Sequence, residues 1–168
     1  MSMKAVQPSF LIEPLGFDPR TQCASFNVQL ADGVPHRTEE LDVAKLFECY
    51  PDLRRHRCES GRHRSFVTEA AQTETAHLLE HLAVELLALS GVSRDVARGQ
   101  TGIPRCLPAT ALVPPVGAPV TSERSEGRRR QGSYPVVYRL RFYGTDSLEE
   151  MGTLLHNAAN IFEDLLLV

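Results

Sequence analysis

The chain has 168 residues, of which 42% are hydrophobic and 23% are charged, and its formal net charge is −3. This length suits one domain that buries a core without disulfides, and the composition excludes a chain that is disordered throughout. Because acidic and basic residues nearly balance, no global field attracts nucleic acid or a membrane surface, and we expect neither as a partner.

Compartment is indicated by what the sequence lacks. No apolar stretch near the N-terminus is long enough for a signal peptide, and no segment reaches the roughly 18 apolar residues of a membrane span. We therefore expect a cytoplasmic protein with reduced thiols, since the four cysteines are widely spaced and form no C-x-x-C pair. They are Cys23, Cys49, Cys58 and Cys106.

The first half of the chain predicts a hairpin followed by a helix. Residues 9–15 and 23–32 are rich in β-formers and are separated by the turn composition GFDPR. Thr38 is placed to cap a helix that ends near residue 50, before the sequence YPD. Residues 53–64, LRRHRCESGRHR, form a basic connector, and SFVTEA then leads into a longer helix, with a short strand left open there.

The second half predicts a helix, a loop, a strand and a final helix. Residues 74–89 contain no Gly or Pro, and Gly91 stands where a helix C-cap is expected. The Pro, Gly, Ser and Arg content of 99–133 predicts a long loop. Alternating apolar residues predict a half-buried strand over 134–144, and a helix follows with Asp146 or Ser147 as its cap. The fold predicted for 1–168 is a single α+β domain whose mostly antiparallel sheet carries helices on one face.

Two histidines lie four residues apart on the predicted 74–89 helix, so they point to the same side. His77, Glu80 and His81 form H-x-x-E-H, the arrangement of the inverted zincins. In such a site the histidines bind a metal such as zinc, and Glu80 takes a proton from the metal-bound water. The alternative is that these are hydrogen-bonded residues on the rim of an amphipathic helix with no metal.

A metal site of this kind needs a third protein ligand. Glu85 follows His81 on the same rim, but three ligands from one helix around one tetrahedral metal are strained. Cys58 and His56, from the basic connector, are therefore alternatives to Glu85.

Several arginines are candidates for contacting the carboxylates of an acidic substrate, although each also fits a solvated surface. They are Arg57, Arg62 and Arg64 in the connector and Arg139 and Arg141 on the last predicted strand.

The segment HRCESGRHRSFVTEAAQTETAHLLEHLAVELLALSG resembles the N-terminal domain of cyanophycin synthetase, most closely over residues 50–98 and more loosely at both ends. The family pattern includes a His-x-Cys-Ser stretch, a glycine turn, a Phe, and a helix with His-x-x-Glu-His and a later Glu-Leu. The matching residues are His56, Cys58, Gly61, Phe66, Thr75, His77, Glu80, His81, Ala83, Glu85 and Leu86. Departures are Glu74, where the family has Gly, and GVSRDVARGQT, which replaces Gly-[Arg/Lys]-Thr-Arg after the helix.

In that family the domain precedes ATP-grasp and Mur-ligase-like domains, which extend a polymer with an aspartate backbone and arginine side chains. Neither catalytic domain is present in these 168 residues, which contain no G-x-x-x-x-G-K-[ST] loop. The family's N-terminal domain holds the polymer, and in some members a metallopeptidase-like site on the H-x-x-E-H helix cuts it.

The resemblance implies that His77 and His81 bind zinc, that Glu80 is the base, and that Glu85 is a third ligand or contacts one. We therefore expect hydrolysis of peptide or cyanophycin-like amides, with zinc as the one cofactor. The alternative is a non-catalytic module that holds a charged polymer or docks on a partner ligase. Oligomerisation is left open.

Overall fold

The computed structural model describes residues 8–58, 65–102, 105–106 and 136–167. They form an antiparallel sheet with helices on one face, so the predicted α+β class is confirmed. The strands are β1 (Phe10–Asp18), β2 (Cys23–Leu30), β3 (Arg98–Thr101), β4 (Arg105–Cys106) and β5 (Val136–Tyr143). The helices are α1 (Ala44–Cys49), α2 (Phe66–Ala70), α3 (Thr75–Leu89) and α4 (Leu148–Leu166). None of the helices in these ranges is long and apolar enough to cross a membrane.

The last strand lies at the centre of the sheet. The strand order is β1-β2-β5-β3, and β4 pairs with the other end of β5. The predicted hairpin of β1 and β2 is present, and β2 pairs with β5 in a register that sets Phe26 opposite Leu140. Since β3 pairs only with β5, it is an edge strand of the described sheet.

The period-two pattern of β5 decides which face of the sheet is the core. Leu140 and Phe142 are fully buried, while Arg139 and Arg141, which alternate with them, are exposed. Helix α4 packs against the buried face of β1 and β2, and the ring of its Phe162 meets that of Phe10 edge to face at 5.3 Å. The buried stripe of α4 consists of Met151, Leu155, Ala158, Ala159, Phe162 and Leu166.

The two longer helices begin and end close to where the sequence predicts. Ser147, one of the two predicted caps, accepts a hydrogen bond from the Glu150 N–H at 3.0 Å and so satisfies one free donor of α4. Helix α3 ends at Leu89, and Gly91 follows with a φ of 114°, a left-handed conformation that favours glycine.

The helix predicted for 38–50 is broken into pieces. A 3-10 turn at Thr38–Glu40 precedes α1, and a second one, Pro51–Arg55, follows it. Thr38 does not cap a helix, because its backbone N–H and its Oγ1 pair with the backbone of Thr73, at 2.9 Å in each case. These bonds fix the segment against the start of α3 instead.

Two further predictions differ from the structure. The stretch SFVTEA forms the short helix α2, not a strand. The loop predicted for 99–133 begins as an ordered strand, because β3 pairs with the central strand β5 although its sequence, RGQT, has little strand propensity. The remainder of that predicted loop, 107–133, lies outside the described residues.

Leu155 and Leu11 offer a matched test of where the core lies. Leu155 is fully buried, whereas Leu11 is 54% exposed on the other face of the sheet. We expect Leu155→Ala to lower the free energy of unfolding by about 2–5 kcal/mol, because it leaves a cavity, and Leu11→Ala to change it by less than about 0.5 kcal/mol. Urea denaturation measures both, and equal losses would contradict the assigned core.

Candidate metal site

Helix α3 is buried on almost every side, including positions that carry polar groups. His81 is 6% exposed, Glu80 4% and Glu85 1%. Buried polar side chains are costly unless each finds a partner, so the surroundings of these three residues determine what the site can do.

Three potential metal-ligand atoms converge beside α3. The Sγ of Cys58 lies 3.3 Å from Nε2 of His81 and 3.7 Å from Nε2 of His77. The two Nε2 atoms are 3.1 Å apart, and all three atoms lie within 4.8 Å of one another. Among the described residues this is the one cluster of at least three His, Cys, Asp or Glu side chains that could hold a metal ion.

Local backbone contacts bring Cys58 to the helix. It follows the 3-10 turn Pro51–Arg55, and the Phe66 N–H donates to the His56 carbonyl at 3.3 Å, next to a bridge between Arg57 and Ser65. The ring of Phe66 also stacks on the imidazole of His81, with centroids 3.8 Å apart and planes 15° from parallel. His56, Cys58 and Phe66 thus contact the helix, and Cys58 is only 5% exposed.

The outer nitrogens of both histidines are engaged. Nδ1 of His77 lies 2.9 Å from Oγ1 of Thr73, and Nδ1 of His81 lies 3.0 Å from Nδ1 of His56. The other nitrogen of His56 lies 2.8 Å from the Glu85 carboxylate. Hydrogen bonds of this kind orient the imidazoles of metal sites, and here they direct both Nε2 atoms toward Cys58.

The carboxylate of Glu80 lies beside the cluster. Its Oε2 lies 3.8 Å from Nε2 of His77 and accepts a hydrogen bond from the Thr101 hydroxyl at 2.8 Å. Gly99 packs directly on this carboxylate, where a Cβ would overlap Oε1. Strand β3 therefore holds Glu80 in place in two ways. Thr101 donates a hydrogen bond to it, and Gly99, which has no side chain, lets the backbone pack against its carboxylate.

Burial keeps this centre close to neutral when no cation is present. Burial lowers the pKa of both His77 and His81. At His81, repulsion from the neighbouring histidines lowers the pKa further. Burial raises the pKa of Cys58 to about 12 and that of Glu80 to about 7, the latter opposed by the hydrogen bond from Thr101. The positive charge of a divalent cation would compensate the negative charge of a thiolate and an ionised carboxylate. One thiol with two imidazoles is a donor set that suits zinc.

Glu85, which the sequence analysis named first as the third ligand, is not one of the three clustered residues. Arg94 donates to both of its oxygens, at 2.6 and 2.8 Å, and His56 contacts the same carboxylate. Burial alone would raise the pKa of Glu85, but these hydrogen bonds outweigh it and hold the pKa below its usual value. Of the alternatives, Cys58 is in the cluster, whereas His56 contacts His81 on the far side of its ring.

A cavity of about 1010 Å³ opens in front of the cluster. Its lining includes Arg57, one of the predicted substrate-binding residues. Arg139 and Arg141 lie on the exposed face of β5 and do not line it, while Arg62 and Arg64 lie outside the described residues. Besides Glu80, the other acidic, arginine and lysine side chains in the lining are Arg37, Arg55, Glu69, Glu74, Arg94, Asp95 and Arg98.

Sequence reasoning missed four residues that shape the site: Thr73, Arg94, Gly99 and Thr101. Thr73 could have been found, since it precedes His77 by four residues and stands just before the helix. The other three lie in GVSRDVARGQT, which has no periodicity or motif that points to the histidines.

The raised pKa of Glu80 predicts a pH dependence of stability in the metal-free protein. Because the folded-state pKa, about 7, exceeds the usual value of 4.5, the folded state binds more protons than the unfolded state between these values. Stability from this group is therefore full below pH 4.5 and is lost as the pH rises through 7. Glutamine does not titrate, so the difference in unfolding free energy between Glu80→Gln and the wild type should shift by roughly 3 kcal/mol in favour of the variant as the pH rises from 4.5 to 8.

Denaturant titrations in the presence of a chelator measure this difference at several pH values. Glu48→Gln, at an exposed position of α1, is the matched control. A gap between wild type and Glu80→Gln that stays constant with pH would contradict the raised pKa.

Residues 26–105 match a family model described as the cyanophycin synthase-like N-terminal domain. No curated protein and no solved structure gives a significant match. The matched range includes Cys58, His77, Glu80 and His81, but not the final strand and helix, 134–167, which the sequence also relates loosely to that domain. Over this range, which carries the site, the chain is similar to the cyanophycin synthase-like N-terminal domain.

Proposed function

We propose that this protein is a zinc-dependent hydrolase of amide bonds in peptides or in a cyanophycin-like polymer. The observation that carries the proposal is the convergence of Cys58, His77 and His81 beside the Glu80 carboxylate, at the wall of a large cavity. Three protein ligands with a fourth position open to substrate or water are typical of catalytic zinc sites.

The donor atoms suit the ion that the family resemblance implies. Cys58, His77 and His81 would hold zinc, with the Cys58 thiol losing its proton on binding. When bound, zinc lowers the pKa of a water molecule and polarises a substrate carbonyl. Phe66, which is fully buried and stacked on His81, keeps bulk water away from one side of the ligands.

Glu80 would move the proton. With a pKa of about 7 in the absence of a cation, its carboxylate can accept a proton and release it near neutral pH. As the water oxygen bonds to the carbonyl carbon, Glu80 takes the water proton. It then delivers the proton to the leaving nitrogen as the C–N bond breaks. The Thr101 hydroxyl and the close approach of Gly99 restrict the carboxylate to this position.

The charges of the cavity support a substrate with side chains of both signs. Arg57 and Arg98 lie in its lining together with Glu69, Glu74 and Asp95. A polymer with an aspartate backbone and arginine side chains presents carboxylates and guanidinium groups that can pair with both sets. The same lining would also suit an ordinary peptide rich in acidic and basic residues.

A second candidate is a non-catalytic module that holds such a polymer or docks on a partner ligase. It is favoured by one observation: no buried side-chain nitrogen or oxygen in the described ranges lacks a hydrogen-bond partner, even without a metal. The histidine cluster is therefore self-consistent as a purely structural network.

Metal content separates the two candidates. We expect the purified protein to bind one equivalent of zinc, and Cys58→Ser, His77→Ala and His81→Ala each to weaken binding by more than about 10-fold, because each removes a ligand. Elemental analysis and chelator competition measure this. Cys49→Ser and His156→Ala, at exposed positions, are the matched controls and should keep the zinc. A wild-type protein that binds the polymer but no zinc would establish the second candidate.

Glu80→Gln separates metal binding from catalysis. We expect this variant to retain zinc and to lose at least about 100-fold in the rate of amide hydrolysis, because the amide cannot accept the proton. The assay follows release of new amino groups from the aspartate–arginine polymer and from a charged peptide. Undiminished hydrolysis by Glu80→Gln would show that Glu80 is not the base.

A further inference from the structure

A line of hydrogen bonds runs from the surface of the protein to the buried His81. Arg94 donates hydrogen bonds to both oxygens of Glu85. Its guanidinium also contacts Asp52 at 3.3 Å. One of the Glu85 oxygens meets Nε2 of His56 at 2.8 Å, and Nδ1 of His56 meets Nδ1 of His81 at 3.0 Å.

The proton positions along this line follow from its end. An ionised Glu85 can only accept, so Nε2 of His56 must carry the hydrogen it shares with that carboxylate. Arg94 already balances the charge of Glu85 through both carboxylate oxygens, so a second proton on the largely buried His56 ring would be an uncompensated charge. The ring is therefore neutral and its Nδ1 is an acceptor. The hydrogen between the two rings then belongs to Nδ1 of His81, which leaves the lone pair of His81 on Nε2, facing Cys58.

We propose that His56 is a positioning residue that fixes His81 in the tautomer whose Nε2 lone pair faces the metal position, and that Glu85 and Arg94 fix His56 in turn. The inference rests on the proposed metal site for its purpose, although the tautomer itself is a property of the metal-free protein. His56 does not touch the metal position; it acts through His81.

His77 differs from His81 in this respect. Its Nδ1 contacts the hydroxyl of Thr73, which can either donate or accept, so this contact allows both tautomers of His77. Without a metal, the 3.1 Å contact between the two Nε2 atoms requires a hydrogen on one of them, and His77 is the ring that can supply it. On metal binding His77 moves its proton to Nδ1 and donates to Thr73, whereas His81 needs no change.

Nitrogen NMR of the histidine rings tests the tautomers directly. In the metal-free wild type we expect His81 to carry its hydrogen on Nδ1 and His77 on Nε2. After addition of zinc both rings should carry it on Nδ1. A metal-free His81 with its hydrogen on Nε2 would overturn the inference.

Two substitutions at His56 separate its two hydrogen bonds. The carbonyl oxygen of His56→Asn is attached at Cγ, as Nδ1 is, and can accept from His81. The amide of His56→Gln lies one bond further out, near the position of Nε2, so it can meet Glu85 but leaves His81 without its acceptor. We expect zinc affinity to fall by less than about threefold in His56→Asn and by about 10- to 100-fold in His56→Gln.

Chelator competition with zinc alone measures the affinities, and urea denaturation confirms that both variants are folded. Equal affinities of the two folded variants would overturn the positioning role. If the wild type binds no zinc, the proposed function fails, but the inference is still decided by NMR. It stands if His81 keeps its tautomer in His56→Asn and loses it in His56→Gln, and it falls if both variants behave alike.

Discussion

The burial of polar groups on α3 is the constraint on which the rest of this structure depends. The helix packs against β3, α4 and the turn Pro51–Arg55, yet it carries Glu80, His81 and Glu85 into regions with almost no solvent access. Each of these groups would destabilise the fold if left alone. The surrounding segments therefore each supply one partner, as β3 does with Thr101, the connector with His56 and the turn after α3 with Arg94.

These partners favour an ionised side chain on one side of the centre and neutral side chains on the other. On one side, Arg94 and His56 keep Glu85 ionised and compensated. On the other, no arginine or lysine of the described residues forms an ion pair with Cys58, His77 or Glu80, and burial favours the neutral forms of these three groups. The three donor atoms of Cys58, His77 and His81 could hold a divalent cation, whose charge would balance a thiolate in this buried setting. The same hydrogen bonds also keep the cluster intact without the ion, so metal binding need not drive folding.

The parts of the fold predicted from sequence are those whose local pattern and tertiary environment agree. The alternation of 134–144 became β5, and the apolar stripe that begins at Leu148 became α4, because each pattern matches the single face that it buries. Where long-range contacts compete, prediction failed. Thr38 is a residue type that often caps helices, but here it pairs with Thr73. RGQT has a weak strand propensity, but it forms a strand because it pairs with β5.

The sequence by itself determined the helix, the placement of His77, Glu80 and His81 on one side of it, and the resemblance over the segment that contains them. Helical geometry fixes these relations at a distance of four residues, and no tertiary contact is needed to deduce them. Only the tertiary structure decided that Cys58 completes the cluster, that Glu85 is held by Arg94, and that Gly99 and Thr101 fix Glu80. Those contacts join segments that are far apart in the sequence and share no periodic pattern. Packing of residues 56–58 and of β3 against α3 brings them together.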